Sequence, residues 1–280
     1  MSIDRTGAAP VIHEIGFSNP AIQTVRKILN DGSKPYDRLC VLDGYWALEK
    51  AANAGMKIHD FFFCEDFLES EQAFALRERY YKLAETCYSV SAKTFEKLSQ
   101  RDDPCGMIAV ADFPFYTPDD MKNEPVLVIL DQLETPGNIG TILRSCDGAG
   151  IHGVVSVNRK VRNTHPKLIH SSMGAAFSVK MTEFASIAEC RAWLKANGYT
   201  VYLADTRAEK DLGELEYRFP AALVCGCERY GISKEWLEGD AQFIKIPMRG
   251  TGDSLNVGVA ASIFLYDMAV QLYRGKGGTK

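Results

Sequence analysis

No apolar run in this 280-residue chain is long enough to cross a bilayer; the stretch 255–266 ends in Tyr266-Asp267, short of the roughly 20 residues a spanning helix needs. The start, Met1-Ser-Ile-Asp-Arg-Thr-Gly, has neither a basic flank nor an apolar signal core, so a cytoplasmic rather than secreted protein is expected. The eight cysteines form no CxxC pair, and Cys225-Gly-Cys227 stands alone beside five histidines at no ligand spacing. No metal site is therefore expected, and scattered thiols fit a reducing compartment. An excess of positive charge is lacking too: 32 Lys+Arg against 36 Asp+Glu leave a net charge of −4, the opposite of most phosphate-neutralising proteins. Also missing are GxGxxG and a glycine-rich phosphate loop, which argues against a dinucleotide-dependent oxidoreductase.

What is present divides in two. Around residues 113–125 three prolines and several turn formers read as a linker. The expected domains are 1–115, a linker at 116–125, and 126–280. In the first, strands are predicted over 39–42, 60–64 and 106–111, with helices over 45–54 and 71–84; this alternation suggests a small α/β sandwich. In the second, Val126-Leu-Val-Ile-Leu130, Val154–Val157, Thr200–Leu203, Ala222–Cys225 and Phe243–Ile246 are strand candidates, with a helix over 187–196. Such apolar strands suit a parallel sheet covered on both faces. Positive charge concentrates locally at Arg159-Lys160-Val161-Arg162, with His165, Lys167 and His170 following, and again at Arg26-Lys27.

Ligands of parallel sheets sit beyond the carboxyl ends of strands, and three strands here run into unusual loops. The first is Asp131-Gln-Leu-Glu-Thr-Pro-Gly-Asn138, where Pro136-Gly137 is turn chemistry and Asn138 reads as the cap of the next helix. Arg144 lies about a turn and a half into that helix, either as a solvated charge or as a contact for an anion. The second is Gly226-Cys-Glu228-Arg-Tyr-Gly231, two glycines around a carboxylate, permitting a tight turn and close backbone approach. The third, Ile246-Pro-Met-Arg-Gly-Thr-Gly-Asp-Ser254-Leu-Asn256, opens a largely apolar helix. Ser254 reads as a cap or as a functional group, whereas an amide at Asn256 inside an apolar first turn wants a partner.

Taken in order, Pro-Gly-Asn-x-Gly followed by Arg, Gly-x-Glu-x-x-Gly, and Ile-Pro-Met…Ser-Leu-Asn-Val resemble the signature motifs of the SpoU (TrmH-like) RNA 2′-O-ribose methyltransferases of the SPOUT superfamily. His170-Ser-Ser-Met-Gly174-Ala-Ala resembles the family's helix between the first two motifs. Leu39 to Cys64 and Val90 to Ala111 resemble its smaller N-terminal domain. The resemblance implies an α/β fold in which a C-terminal trefoil-knotted methyltransferase domain follows an N-terminal α/β RNA-binding domain of ribosomal-protein-like fold. It implies a homodimer with active sites at the subunit interface and S-adenosylmethionine held largely by backbone at Gly226, Ile246 and Leu255, with Leu203 to Asp205 as a further wall. Asn138, Arg144, Glu228, Ser254 and Asn256 are then the catalytic side chains, and Arg159, Lys160 and Arg162 the RNA contacts. Gly258 departs from the family's usual serine, with an effect on packing expected.

The reaction so implied is methyl transfer to a ribose 2′-hydroxyl in structured RNA, ribosomal rather than transfer, without metal or membrane. The same reaction on transfer RNA, and a non-catalytic RNA-binding assembly factor of the same fold, are the alternatives.

Overall fold

The computed structural model describes residues 11–30 and 36–274; the N-terminal start read above and the glycine-rich tail 275–280 lie outside the described residues. Two compact units form, one from the residues up to Pro114 with Thr164–His170, the other from Phe115–Asn163 with Ser171 onward.

In the first unit the chain runs β1 (Ile12–Glu14), α1 (Pro20–Asn30), β2 (Leu39–Asp43), α2 (Tyr45–Asn53), β3 (Ile58–Phe63), α3 (Glu71–Leu83), β4 (Ala84–Ser89), α4 (Ala92–Phe95) and β5 (Met107–Asp112). The sheet order is β1-β4-β3-β5-β2, with β5 antiparallel to both neighbours. Helix α1 was not expected from the sequence. Ile22, Val25 and Ile28 recur every three residues and are fully buried against Val41, Phe62 and Ile108, an apolar helix face. Strand β4 was missed as well, because it follows α3 with no turn residue between Leu83 and Ala84. The predicted strand 60–64 runs instead from Ile58 to Phe63.

The second unit carries β6 (Val126–Asp131), α5 (Pro136–Ala149), β7 (Gly153–Val157), β8 (Lys180–Phe184), α7 (Ile187–Ala196), β9 (Thr200–Ala204), β10 (Ala221–Gly226), β11 (Gln242–Ile244) and α8 (Val257–Tyr273), while α6 (Pro166–Ser171), between β7 and β8 in the chain, belongs up to His170 to the first unit. Its six strands are all parallel in the order β11-β9-β10-β6-β7-β8. Every residue of β6 and β7 is buried, as a parallel sheet covered on both faces requires. The chain moves outward from β6 to β8, then restarts on the other side, so β6 and β10 flank the point where strand order reverses. That is where open α/β sheets bind ligands.

Three expectations are corrected. The predicted strand 243–246 ends at Ile244, because Ile246 and Pro247 already belong to the loop leading to α8. Residues 170–176 are not one helix: α6 stops at Ser171, Met173 takes a left-handed φ of 51°, and a short 3-10 turn follows at Ala175–Phe177. Strand β8 went unread. Within 113–125, residues Pro118–Met121 form a 3-10 turn capped by Thr117 and Asp120, and Met121 is fully buried in the second unit's core.

Candidate active site

The Gly-x-Glu-x-x-Gly segment folds as its two glycines dictate. Gly231 has φ 70°, a left-handed value glycine adopts freely. A Cβ on Gly226 would lie 2.2 Å from the Gly231 carbonyl carbon and 2.3 Å from the Ile232 nitrogen, so only glycine fits beneath the returning chain. Cys227 and Gly231 exchange backbone hydrogen bonds of 3.1 and 2.9 Å, closing a tight turn that carries Glu228 near its tip. The turn is anchored by Asp131 at the end of β6, a fully buried carboxylate that accepts from the Ser233 N–H at 2.7 Å. Burial raises its carboxyl above the usual range.

Asn138 does not cap α5. Thr135 holds the cap position and Pro136 opens the helix, a position suited to proline, which lacks the N–H that would go unpaired there. Asn138 therefore sits in the first turn with its side chain free for other bonds. Its amide nitrogen donates to Glu228, and its amide oxygen accepts from Asn256 Nδ2 at 3.1 Å. Asn256, not Ser254, caps α8, accepting from the Gly258 N–H at 2.9 Å and the Val259 N–H at 3.4 Å. One hydrogen-bonded line, Glu228–Asn138–Asn256, thus joins all three motif segments. Gly258 belongs to the same junction: a Cβ there would press on Thr141 of α5 at 3.2 Å, so the departure from serine bears on packing as expected.

Beside this line opens a cavity of about 570 Å³ whose wall includes Ala204, Asp205, Gly226, Ile246, Leu255 and Phe264. That size lies within the roughly 300–1,000 Å³ of small-molecule sites. Of the expected wall Leu203 to Asp205, Leu203 is buried in the core and the next two residues reach the cavity. Asp205 is gripped by Arg207 through bonds of 2.9 and 2.7 Å; that hydrogen bonding holds its carboxyl below the usual range. Glu228, Ser254 and Asn256 line the same cavity. Arg144 does not. It is exposed on α5, absent from the cavity wall, and has no hydrogen bond or ion pair among the described residues.

The basic segment after β7 is less uniform than its charge suggests. Arg159 is ion-paired with Glu183, Val161 is buried, Arg162 is half-buried, and Lys160 is exposed. Sequence reasoning missed Asp131, Ser233 and Arg207. The legible signal was Asp131, a lone carboxylate closing the apolar run Val-Leu-Val-Ile-Leu. Among the described residues, no group of three or more His, Cys, Asp or Glu is placed to hold a metal ion, and no helix is long and apolar enough to cross a membrane.

A parallel α/β unit with a ligand-sized cavity beyond the carboxyl ends of β9, β10 and β11, rimmed by an amide–carboxylate chain, defines a small-molecule-binding domain of open-sheet type. Comparison narrows that class. The model of the SpoU rRNA methylase family matches residues 125–266, and that of the MRM3-like substrate binding domain matches residues 19–109. The chain belongs to the SpoU rRNA methylase family. A 23S rRNA (uridine(2479)-2′-O)-methyltransferase of Streptomyces viridochromogenes is 30% identical over 190 residues, 64% of this chain and 65% of that relative. An uncharacterised tRNA/rRNA methyltransferase of Archaeoglobus fulgidus is 33% identical over 65% of this chain and 79% of its own length. Among solved structures, an RNA 2′-O ribose methyltransferase superposes with a TM-score of 0.77 at 30% identity, covering 94% of this chain and 99% of that one. An AdoMet-bound rRNA methyltransferase of Sinorhizobium meliloti has the same fold, with a TM-score of 0.82 at 22% identity over 93% of this chain and 98% of that one.

Proposed function

We propose that this protein transfers a methyl group from S-adenosylmethionine to a ribose 2′-hydroxyl of structured RNA, ribosomal rather than transfer. The observation that carries this reading is the Glu228–Asn138–Asn256 line at the rim of the cavity, which ties the three family motifs into one constellation. The Streptomyces relative, named for a 23S ribosomal uridine, supports both the reaction and the RNA class.

S-adenosylmethionine supplies an electrophilic methyl on a sulfonium centre. The residues present suit such a ligand. Gly226 leaves no side chain on its stretch of the wall, Ile246 and Leu255 add apolar surface, and Asp205 offers a carboxylate already oriented by Arg207. In-line attack is governed by positioning. We assign that task to Asn138, Glu228 and Asn256, which are hydrogen-bonded to one another, and to Ser254 on the same cavity wall. A guanidinium donates hydrogen bonds and accepts none, so we assign Arg144 to clamping the adjacent phosphate and stabilising alkoxide charge as the hydroxyl gives up its proton to solvent.

Arg144 lies outside the cavity of its own chain, and a homodimer resolves this. Leu255, Val259, Tyr266, Val270 and Tyr273 leave a row of exposed apolar side chains along α8 and the loop before it, the kind of surface that marks an interaction site. We infer that two copies pair there and that Arg144 of each serves the site of the other. A first domain 1–115 and a second 126–280, with the connecting 116–125 packed on the second unit and Thr164–His170 on the first, RNA contacts at Arg159, Lys160 and Arg162 and a cytoplasmic location complete the reading. The location is supported by eight cysteines outside any disulfide, seven of them buried.

Incubation with methyl-labelled S-adenosylmethionine and separated ribosomal and transfer RNA tests the proposal. Label in ribosomal RNA is the expected result. Label in transfer RNA alone would move the substrate assignment, and cofactor binding without transfer to either would favour a non-catalytic RNA-binding role.

A further inference from the structure

Strands β6 and β7 pair in register, with Asp131 opposite Val157. The next residue on each, Gln132 and Asn158, turns to a left-handed backbone, φ 56° and 51°. Such values are uncommon for residues other than glycine, and retained strain of this kind gathers at functional sites. Both residues line a second cavity of about 700 Å³, bordered also by Arg159, Lys160, Glu183 and Phe184. It opens across the carboxyl ends of β6, β7 and β8, whereas the first cavity lies across those of β9, β10 and β11. Gln132 Nε2 donates to Ser233 Oγ at 2.9 Å, and Ile232, the preceding residue, lines the first cavity. Gln132 thus ties the wall of the second cavity to Ser233, the residue after one that lines the first.

The chemistry of this second wall is specific. Gln132 keeps an amide oxygen without a donor, and the Asn158 side chain has no hydrogen bond among the described residues. Arg159 is held by Glu183, while Lys160 is exposed and has no carboxylate partner among the described residues. Phe184 is half-buried and braced by Trp193 at 5.8 Å. An amide offers donor and acceptor together, matching the edge of a nucleobase. An aromatic ring offers a face for stacking, and an unpaired lysine offers charge for a phosphate.

We propose that this cavity is a nucleotide subsite, in which Asn158 and Gln132 read the base of an unstacked RNA residue and Lys160 holds its phosphate. The proposal rests on the methyl-transfer reading above. It makes the subsite a source of base preference at or beside the modified nucleotide.

The test is binding of the four nucleoside 5′-monophosphates to the full chain, with S-adenosylmethionine present, followed by saturation-transfer nuclear magnetic resonance. One base is expected to bind in preference to the others without displacing S-adenosylmethionine. Asn158→Gly suits the left-handed backbone and so removes only the amide; it is expected to weaken the preferred monophosphate about tenfold while leaving S-adenosylmethionine affinity unchanged. Asn158→Asp exchanges the donor for an acceptor and is expected to change which base is preferred. Lys160→Ala is expected to weaken all four alike. Binding undiminished in Asn158→Gly, binding only by displacement of S-adenosylmethionine, or no binding of any monophosphate would overturn the proposal. None of these readouts needs turnover. Methyl transfer with unselective monophosphate binding would remove the subsite and leave the reaction; selective binding without methyl transfer would do the reverse.

Discussion

At the scale of single residues, close approach and burial decide most of the site. Gly226→Ala places a methyl 2.2 Å from backbone that cannot rotate away. Overpacking of this kind costs about 1–3 kcal/mol, so a lowered thermal midpoint and weakened S-adenosylmethionine binding are expected, measured by calorimetric melting and titration. Asp131 gives a pH dependence. Burial raises its folded-state pKa above the unfolded value, so it favours the folded state most when protonated, and that contribution is lost as pH rises through the folded pKa. Asp131→Asn should flatten this part of the stability curve from the carboxylate range, about pH 4, upward, as read by denaturant titration across pH. For Arg144, removal of charge in Arg144→Ala should lower the rate of transfer by about a hundredfold or more, with S-adenosylmethionine affinity unchanged. Arg144→Lys should recover part of that rate if charge matters more than the two-pronged geometry. Glu228 and Asn138 were legible because turn glycines and an opening proline mark them. Ser233 was not, since it reaches Asp131 only through folding.

At the scale of elements, the capping chemistry shows what local sequence can and cannot tell. Ser254 and Asn138 are both good capping types at plausible places, yet the caps fall at Asn256 and Thr135. The reason is tertiary: Asn256 can satisfy two α8 N–H groups and still donate to Asn138. Asn256→Ala should therefore cost about 0.5–2 kcal/mol as a lost cap and reduce transfer more than a cap elsewhere. Ser186→Ala, at the start of α7 where the hydroxyl accepts from Glu189 N–H and from no other group among the described residues, is the comparison: similar loss of stability, with transfer retained. Long apolar strands such as β6 and β10 were legible. Short or abutting elements were not: β4 begins where α3 ends, and β8, Lys-Met-Thr-Glu-Phe, alternates too weakly to stand out.

At the scale of the whole molecule, motif order carried more than composition. A net charge of −4 pointed away from nucleic acid, and only the local segment around Arg159 and the three loops countered it. The knot implied by the family resemblance is a property of chain path, which hydrophobic periodicity does not encode. Pairing through α8 predicts that Val259→Glu with Val270→Glu, two exposed positions, leaves the chain folded but monomeric in sedimentation velocity. Such a monomer should bind S-adenosylmethionine and fail to transfer the methyl, because Arg144 would no longer reach a neighbouring cavity.

The central claim is that the methyl goes to a ribose oxygen. A 2′-O-methyl group removes the nucleophile that cleaves RNA in alkali, whereas a base methyl leaves that nucleophile in place. The most direct measurement is therefore alkaline hydrolysis of RNA labelled by the purified protein. Label recovered in alkali-resistant dinucleotides is the predicted result; label recovered in single nucleotides would contradict the account.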